Sequence, residues 1–585
     1  MCGIYACLGN LDATTKVLAG LKRIEYRGYD SWGVAIINKK IEIEKHVGKI
    51  SLIKKLKLTN SKNAIGHTRW ATHGGVTEKN AHPHLAQNGN FALVQNGVLE
   101  NYQELKSQLQ KNGYQFQTET DTEVIVALLE KECQNKIELK QFAKVIKRLA
   151  GRNTILVLTK NGEVWVYRQG SPLIVGQGER NNYFFSSDLA SISSDSKNYY
   201  AIENQEIIHF DGKNIRAYQA KNLTTKKIHF HKMDQQALEI DKGDYAHFML
   251  KEIYEQKESL LKVLDKNEKL FEIIAKKIEL SRNIYVVGAG SASYAALSIV
   301  NNLRKNKQNV YHVPAYDCAD FTRNFSKQDL AIILSQSGET ADTIEAVEQM
   351  RAEGIFIVSV VNMPASTLMN MADITYPLNV GAEVGVASTK ALTGHILFGM
   401  ALSDYLENKN FSFKKEVEEF SRQLASWLAN KKVINNIKKT AKFLSQKKDL
   451  YILGRGQLLA SVLEFALKIK EISYLHAEGF SAGELKHGVI ALIEKETPVI
   501  CLVNKEDREN MLSSAHEVKA RGAEVIGVAI KNEEIFDIFI ELPQAEKFTN
   551  LSSIIVAQLL TYEIALLKKL DPDKPRNLAK SVTVK

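Results

Sequence analysis

The chain has 585 residues, of which 44% are hydrophobic and 25% are charged, so a fully disordered protein is excluded. At roughly 100–200 residues per domain, this length predicts three or four compact units. The net charge of +10 is modest and fits anionic small substrates as well as a solvated lysine-rich surface, so we expect no nucleic-acid partner.

The five cysteines are Cys2, Cys7, Cys133, Cys318 and Cys501, and no Cys-x-x-Cys pair occurs. This pattern predicts neither a disulfide framework nor a metal site, and it favours a reducing, cytoplasmic location. No run of about 18 apolar residues occurs, so we expect no membrane span. The first residues do not resemble a signal peptide, because no basic segment precedes an apolar core.

Residues 2–222 carry the pattern of an α+β domain. Apolar runs at 33–37, 91–94, 154–158 and 164–167 are separated by Gly and Asn and predict strands. Asp121-Thr122-Glu123 predicts the start of a helix that continues to about Lys131. Residues 223–260 are charged and predict a linker that leads into a helix.

Strand and helix patterns then alternate, which predicts parallel sheets built from βαβ units. The segment 284–290 recurs as 450–456, and each copy is followed by a helical pattern and a second apolar strand, at 330–334 and 498–503. The repeat predicts two similar α/β domains, at 261–405 and 431–570. Residues 571–585 contain two prolines and little periodicity, and they predict a tail.

The N-terminal cysteine is the first candidate site. Once Met1 is removed, Cys2 carries a thiol and an α-amine that can accept its proton, although an isolated Met-Cys more often marks a small residue in a first strand. Met-Cys-Gly-Ile is followed by motifs at 26–31, 66–74, 95–101 and 119–123. Together these motifs resemble the glutaminase domain of the N-terminal-nucleophile amidotransferases, which implies an αββα Ntn-hydrolase fold.

That resemblance implies a pocket for free glutamine. Arg69 is suited to pair with the substrate carboxylate and Asp121 with its ammonium, whereas each alone would more often be a solvated or paired surface charge. The Asn96 side chain and the Gly97 backbone N–H are suited to stabilise the oxyanion. By the same resemblance Trp70, Thr72 and His73 line or close the pocket. Gln95 departs from the family, in which His often precedes Asn-Gly.

The second candidate site is the polar segment 334–343, between an apolar strand and a helical pattern. Hydroxyl groups and free backbone N–H groups at a helix start bind phosphate, although a simple capping box is the alternative. Ser-Gln-Ser-Gly-Glu-Thr resembles the sugar-phosphate isomerase (SIS) signature, which implies Ser335, Gln336, Ser337 and Thr340 as phosphate ligands. Ser291, in the glycine-rich turn at 288–294, would face the same ligand, but Ala292 stands where that family has Ser.

Glu464, Lys468 and Glu471 form the third candidate site. Their spacing places two carboxylates and an ammonium on one helical face, where the common alternative is a surface salt-bridge ladder. The flanking residues are apolar, which argues against that alternative.

The run at 462–488, with 386–390 and 575–584, resembles the glutamine–fructose-6-phosphate aminotransferase (isomerising) family. The resemblance implies glutamine and fructose 6-phosphate as substrates, no cofactor, and a homodimer. It implies proton transfer between sugar carbons by Glu471, assisted by Lys468 and Glu464, a Schiff base on Lys580, and ring opening by His487 of a neighbouring subunit. It also implies sugar contacts from Val386, Ser388 and Ala579.

A shielded path for ammonia, walled by the tail and gated by Trp70, is also implied by the resemblance, because ammonia released to water would be protonated and diluted. The family commonly ends in Glu, whereas this chain ends in Lys585. Other amidotransferases of the same nucleophile class would need a phosphoribosyl or ATP-pyrophosphate domain in place of the repeat. A sugar-phosphate deglycase or sensor is the alternative function, although a deglycase would normally lack the glutaminase half.

Overall fold

The computed structural model describes residues 2–10, 12–134, 136–179, 182–233, 241–265, 267–306 and 308–582, so Lys585 lies outside the described residues. The chain divides into two compact units. The first holds the described residues up to 233 together with 579–582, and the second holds 241–578. Each unit is described by itself below.

Two antiparallel sheets form the centre of the first unit, in the orders β15-β11-β9-β10-β1-β4-β2-β3 and β14-β13-β12-β8-β7-β6-β5 within the described residues. The strands are β1 Gly3–Leu8, β2 Ser31–Ile37, β3 Ile41–Val47, β4 Asn63–Arg69, β5 His84–Leu85, β6 Phe91–Gly97, β7 Asn153–Thr159, β8 Val164–Arg168, β9 Ile174–Gln177, β10 Tyr183–Ser186, β11 Asn198–Ala201, β12 Glu206–Phe210, β13 Ile215–Gln219, β14 Thr225–Lys226 and β15 His231–Lys232. The helices are α1 Ala13–Arg23, α2 Tyr102–Lys111, α3 Thr122–Cys133 and α4 Leu139–Ile146.

Alternation of side chains along the strands explains the layers of this unit. In β6, Ala92 and Val94 join the core between the two sheets, whereas Phe91 and Leu93 pack with α2, α3 and α4. Helix α1 covers the outer face of the other sheet along β1 and β4. The order of layers is therefore αββα, as predicted, and the four predicted strands and the predicted helix α3 are confirmed.

The second unit contains two parallel five-stranded sheets among its described residues. The strands are β16 Ile284–Gly288, β17 Val310–Pro314, β18 Leu330–Ser335, β19 Phe356–Val361, β20 Ile374–Pro377, β21 Asp449–Gly454, β22 His476–Ser481, β23 Pro498–Leu502, β24 Glu524–Ala529 and β25 Ile538–Glu541. The helices are α5 Phe248–Val263, α6 Glu268–Leu280, α7 Ser291–Arg304, α8 Cys318–Phe321, α9 Ala341–Ala352, α10 Thr367–Met371, α11 Lys390–Asn408, α12 Phe413–Ala429, α13 Lys431–Leu444, α14 Leu459–Lys468, α15 Arg508–Lys519 and α16 Thr549–Leu567.

The two sheets have the same strand order, β17-β16-β18-β19-β20 and β22-β21-β23-β24-β25, which confirms the repeat that the sequence predicts. In each sheet the first strand of the repeat lies between the second and the third. Strand order therefore reverses beside β16 and β21. In open parallel sheets, ligands bind at the carboxyl ends of the strands where the order reverses. In the first sheet this position holds the loops after β16 and β18, which are the two loops predicted to hold the sugar phosphate.

Helix α5 occupies much of the segment that the sequence predicts as a linker. Met249, Ile253 and Leu260 on this helix are buried in the core of the second unit. The sequence predicts that the linker leads into a helix, and α5 is that helix. The predicted linker 223–260 thus contains most of a core helix as well as strands β14 and β15.

Helix α16 is hydrophobic on all sides. Among the described residues, the stretch Glu546–Leu567 is long and apolar enough to cross a membrane. However, 78% of its most apolar segment is buried inside the protein. A helix surrounded by other elements needs no polar face, and α16 packs against α13 and α14.

Glu252 on α5 holds the loop between β20 and α11. Its carboxylate accepts hydrogen bonds from the backbone N–H groups of Val384 at 2.6 Å and Gly385 at 3.0 Å and from the Thr389 hydroxyl at 2.8 Å. Glu252 is 2% exposed. A buried acceptor for two backbone donors is costly to remove, because the donors are left without water or protein partners.

We expect Glu252→Ala to lower the free energy of unfolding by roughly 2–5 kcal/mol and to speed hydrogen exchange in the 383–389 loop. The matched control is Glu258→Ala on the exposed side of the same helix, which we expect to change stability by less than about 0.5 kcal/mol. Denaturant unfolding and hydrogen-exchange mass spectrometry measure the two effects. Equal destabilisation by the two substitutions would contradict the role of Glu252 in holding the 383–389 loop.

Candidate active sites

Cys2 lies immediately before strand β1, beside the end of β4 and Trp70, which follows it. Antiparallel pairing of Gly3 with Thr68 brings the two segments together. The Trp70 backbone N–H donates to the Cys2 sulfur at 3.4 Å, and the Arg27 side chain donates to the Cys2 carbonyl at 3.3 Å. The strand register therefore fixes the position of the thiol.

Burial raises the pKa of the Cys2 thiol, and the Trp70 hydrogen bond and the Arg69 charge oppose this effect only in part. A thiol with a raised pKa is mostly protonated at neutral pH, so nucleophilic attack needs a base. The α-amine that Cys2 would carry after removal of Met1 has an ordinary pKa near ~7.7–8.0 and is attached to the same residue.

Arg69 and Asp121 provide opposite charges near the thiol, since both act electrostatically on the pKa of Cys2. The Arg69 guanidinium donates to the backbone carbonyls of His73, Gly74 at 3.1 Å and Gly75 at 3.2 Å. Asp121 accepts a hydrogen bond from the Leu99 N–H at 2.7 Å. Burial raises the pKa of Asp121. These contacts orient a cation and a carboxylate while both stay near Cys2.

Asn96 and Gly97 end strand β6. The Asn96 amide nitrogen donates to the Ser187 hydroxyl at 2.7 Å, and the same hydroxyl oxygen accepts the Ile4 N–H of β1 at 2.9 Å. Gly97 has a φ of +127°, and a Cβ atom there would lie 1.7 Å from the Arg152 carbonyl oxygen. Only glycine fits this close approach.

The remaining residues predicted around Cys2 differ in exposure. Trp70 and His73 are half-buried, and Thr72 is exposed. The His73 ring packs edge-on against Tyr102 with centroids 5.1 Å apart. Their contacts with substrate stay predictions.

The predicted phosphate loop follows β18 and precedes α9. The Ser335 hydroxyl accepts the Gly338 N–H at 2.9 Å, and the Ser337 hydroxyl accepts the Glu339 N–H at 3.1 Å. Thr340 precedes the first residue of α9 and makes no side-chain capping hydrogen bond. The loop is thus a tight turn built from its own hydroxyl groups, at the position in a parallel sheet where ligands bind. Gln336 is half-buried in the same turn.

Glu464, Lys468 and Glu471 form a buried ionic triad, as their spacing predicts. The Lys468 Nζ lies 3.2 Å from Glu464 Oε1 and 2.5 Å from Glu471 Oε2. The side chains of Lys468 and Glu464 are fully buried and that of Glu471 is 21% exposed, so the surface salt-bridge alternative is wrong. A π-helical turn, Ile469–Ser473, follows α14 and carries Glu471, a feature often found at functional sites.

Electrostatics of the triad shift the pKa values of Glu464 and Lys468. Burial raises the pKa of Glu464 to about 7, and the Lys468 charge opposes the rise. Burial lowers the pKa of Lys468, but the two carboxylates outweigh it and raise the pKa above its ordinary value. Ser291, a predicted phosphate ligand, donates to Glu464 Oε1 at 3.2 Å. The buried Ser293 pairs with His312 at 2.8 Å.

The loop that carries Val386 and Ser388 is joined to the start of the tail. The Val386 N–H donates to the Asp573 carbonyl at 3.1 Å, and the Ser388 hydroxyl donates to Glu383 at 3.3 Å. The Asp573 carboxylate accepts the N–H groups of Phe248 at 2.9 Å and Met249 at 2.8 Å, so it caps helix α5. Asp573 is therefore a structural contact that sequence reasoning missed.

The contacts described within the second unit do not bring His487 to the triad, and they do not include Ala579 or Lys580. His487 is exposed at the end of the short 3-10 segment Ala482–His487. Ala579 and Lys580 are half-buried and group with the first unit. Among the residues that the structure describes, no group of three or more His, Cys, Asp or Glu side chains could hold a metal ion.

Comparison with known proteins identifies both units. A glutamine amidotransferase domain profile matches residues 54–247, and the SIS domain profile matches 277–403 and 443–568. The chain is 38% identical to the glutamine–fructose-6-phosphate aminotransferase (isomerising) of Pyrobaculum aerophilum, over 97% of this chain and 96% of that protein. It is also 38% identical to the same-named protein of Aquifex aeolicus, over the full length of both.

The chain belongs to the glutamine–fructose-6-phosphate aminotransferase family. A solved structure of the C-terminal domain of a glucosamine-fructose-6-phosphate aminotransferase from Francisella tularensis is also similar, at 31% identity and a TM-score of 0.51. It covers 57% of this chain and all of that domain. The amidotransferase and double SIS architecture of the family agrees with the αββα unit and the repeated parallel sheets.

The raised pKa of Glu464 makes stability depend on pH. The folded chain keeps this proton up to about pH 7, whereas the unfolded chain loses it above about 4.5, so the stabilisation is complete below pH 4.5 and is lost as pH rises to 7. We expect Glu464→Gln to abolish a pH-dependent change of up to about 3 kcal/mol in the free energy of unfolding.

Denaturant unfolding between pH 4.5 and 8 measures this difference, with the exposed Glu258→Gln as the matched control. Subtraction of the control removes the contribution of other titrating groups. Parallel stability curves for wild type and Glu464→Gln would show that Glu464 ionises normally.

Proposed function

We propose that the chain converts L-glutamine and D-fructose 6-phosphate to L-glutamate and D-glucosamine 6-phosphate, the first step of hexosamine synthesis. The observation that carries the proposal is the presence of two complementary sites in one member of the family. One has Cys2 beside Arg69 and Asp121, and the other has a buried carboxylate–lysine–carboxylate triad.

Glutamine hydrolysis begins at Cys2. Its α-amine takes the thiol proton, and the sulfur attacks the side-chain amide carbon, so a C–S bond forms and the carbonyl electrons move to oxygen. Arg69 pairs with the substrate carboxylate and Asp121 with its ammonium, which places the amide carbon at the sulfur. Trp70, Thr72 and His73 close the pocket. The tetrahedral intermediate collapses when the α-ammonium protonates the leaving nitrogen, which departs as ammonia, and water then hydrolyses the thioester.

Oxyanion stabilisation comes from the Asn96 amide and the Gly97 N–H. These donors are held before the reaction starts, Asn96 by Ser187 and Gly97 by its position against Arg152. Fixed donors stabilise developing negative charge without the cost of reorganising solvent.

The sugar phosphate is held by Ser335, Gln336, Ser337, Thr340 and Ser291, with Val386, Ser388 and Ala579 against the rest of the sugar. The hydroxyl groups of the turn at 335–340 and the N-terminal end of α9 supply donors suited to a phosphate. These assignments are part of the proposal.

The carbon chemistry uses His487, Lys580 and the triad. His487 of a neighbouring subunit opens the sugar ring, and Lys580 condenses with the C2 ketone and releases water. Ammonia then displaces the lysine to give a C2 imine. Glu471 moves a proton from C1 to C2, which gives the 2-amino aldehyde. Lys468 is paired with Glu471 at 2.5 Å, and Glu464, whose pKa burial raises to about 7, can accept or donate a proton in the same network.

Coupling of the two reactions requires that ammonia reach the sugar before it is protonated. We propose an enclosed path whose wall includes the tail and whose gate includes Trp70. We propose a homodimer, because the exposed His487 would act in the site of a neighbouring subunit. A cytoplasmic location is also part of the proposal. No cofactor and no nucleic-acid partner are part of this scheme.

Incubation with glutamine and fructose 6-phosphate is expected to yield glutamate and glucosamine 6-phosphate in equal amounts, measured by mass spectrometry. Cys2→Ala should reduce both products by at least about 10³-fold, because it removes the nucleophile. Isomerisation of fructose 6-phosphate should persist in this variant and shows that the second unit is folded. The buried Cys7→Ala is the matched control. Undiminished synthesis from glutamine by Cys2→Ala would refute the nucleophile.

Lys580 is tested by borohydride reduction in the presence of fructose 6-phosphate. We expect the wild-type chain to gain the mass of the reduced sugar phosphate on the peptide that contains Lys580, and Lys580→Ala to gain none. Lys574→Ala, in the same tail, should be trapped as wild type. Trapping at full yield in Lys580→Ala would show that another amine forms the Schiff base.

A further inference from the structure

Three histidines are stacked beneath the Asn96 segment of the first unit. The His67 and His82 rings lie parallel with centroids 4.2 Å apart, and the His84 ring packs edge-on against His82 at 4.8 Å. All three are buried, and His67 is fully inaccessible. The proposed chemistry gives none of them a role.

Gln95 connects this stack to Asn96. Its backbone N–H donates to His82 Nδ1 at 3.3 Å, and its carbonyl oxygen accepts from His67 Nε2 at 2.8 Å. Its side-chain oxygen accepts the Thr122 hydroxyl at 2.5 Å, and its amide nitrogen donates to Asn153 at 2.8 Å. Every polar group of the residue before Asn96 is therefore held.

These contacts determine which nitrogen of His67 carries the proton. A carbonyl oxygen only accepts, so the His67 Nε2 that bonds Gln95 must be the protonated nitrogen. The same Nε2 lies 3.2 Å from the Asn96 side-chain oxygen. The single Nε2–H is thus shared between the Gln95 carbonyl and the Asn96 side chain, and because this position suits an acceptor, the amide oxygen faces His67.

The orientation of the Asn96 amide follows. With its oxygen directed at His67, its nitrogen faces the Ser187 hydroxyl at 2.7 Å and retains a second N–H. An oxyanion needs that donor and would be repelled by the amide oxygen if the group were reversed. Burial also lowers the pKa of His67 to about 3, which keeps the ring neutral and leaves Nδ1 unprotonated.

We propose that His67 is a positioning residue for glutamine hydrolysis, whose Nε2–H fixes the Asn96 amide with its nitrogen available to the oxyanion. The inference rests on the proposed function of the first unit. Any flat side chain stacked on His82 could fill this space. Orientation of the Asn96 amide, however, requires a hydrogen-bond donor at the position of Nε2.

The test compares His67→Gln with His67→Met. Glutamine and methionine have nearly the same length, and the glutamine amide nitrogen is as many bonds from Cα as His Nε2. We expect His67→Met to lower kcat for glutamine hydrolysis by about 10- to 100-fold with KM changed by less than about twofold, since one oxyanion donor is worth about 10²–10³ in kcat. His67→Gln should stay within about fivefold of wild type. Equal kcat in the two variants, or a loss confined to KM, would overturn the proposal.

A second measurement separates positioning from general damage to the pocket. Glutamate γ-semialdehyde adds to a thiol and forms a tetrahedral oxyanion-like adduct, whereas glutamate binds without one. We expect His67→Met to weaken semialdehyde binding in proportion to its loss of kcat and to bind glutamate as wild type does. Equal weakening of both ligands would indicate a structural role and would overturn the proposal.

Fructose 6-phosphate isomerisation reports on folding of the second unit, and thermal unfolding reports on the first. If His67→Met does not fold, His67→Asn replaces it, because the shorter amide cannot place a donor at the position of Nε2. Wild-type protein that releases no glutamate from glutamine would contradict the proposed function itself. Wild-type hydrolysis with full activity in His67→Met or His67→Asn would contradict only the role of His67.

Discussion

Removal of the reacting groups from water is the constraint on which both units depend. Burial raises the pKa of the Cys2 thiol, and it raises the pKa of Glu464 to about 7. In the proposed chemistry the α-amine takes the thiol proton of Cys2, and Glu464 exchanges its proton within the network that Lys468 joins to Glu471. In the proposed transfer of ammonia, exclusion of water would also prevent its protonation.

Burial of the sites creates a second requirement, because the loops around them expose backbone donors that water cannot reach. Distant carboxylates satisfy those donors. Glu252 holds Val384 and Gly385, and Asp573 holds the first residues of α5. The loop that carries the predicted sugar contacts is consequently fixed from both sides, by a helix and by the start of the tail. Rigid support of this kind is what positions side chains for proton transfer.

The sequence predicted the features that depend on local pattern. Apolar runs predicted strands such as β6, whose side chains alternate between two cores. Similar strand–turn segments predicted the repeat. The spacing of the triad predicted that Lys468 lies between its two carboxylates. Contacts between residues far apart in the chain were not predictable, because no local pattern records them. Asp573 as the cap of α5 is an example. The π-helical turn after α14 was missed for a different reason, since its residues also fit an ordinary helix.

Gln95 shows how a neutral side chain can hold the segment that carries Asn96. A neutral imidazole offers one donor and one acceptor, and the glutamine amide offers both, which Asn153 and Thr122 satisfy here. A fourth histidine beside His67, His82 and His84 would add another group whose protonation is opposed by burial and by its neighbours. Glutamine cannot ionise at all. Gln95 therefore holds the Asn96 segment by hydrogen bonds that no change in its own charge can disturb.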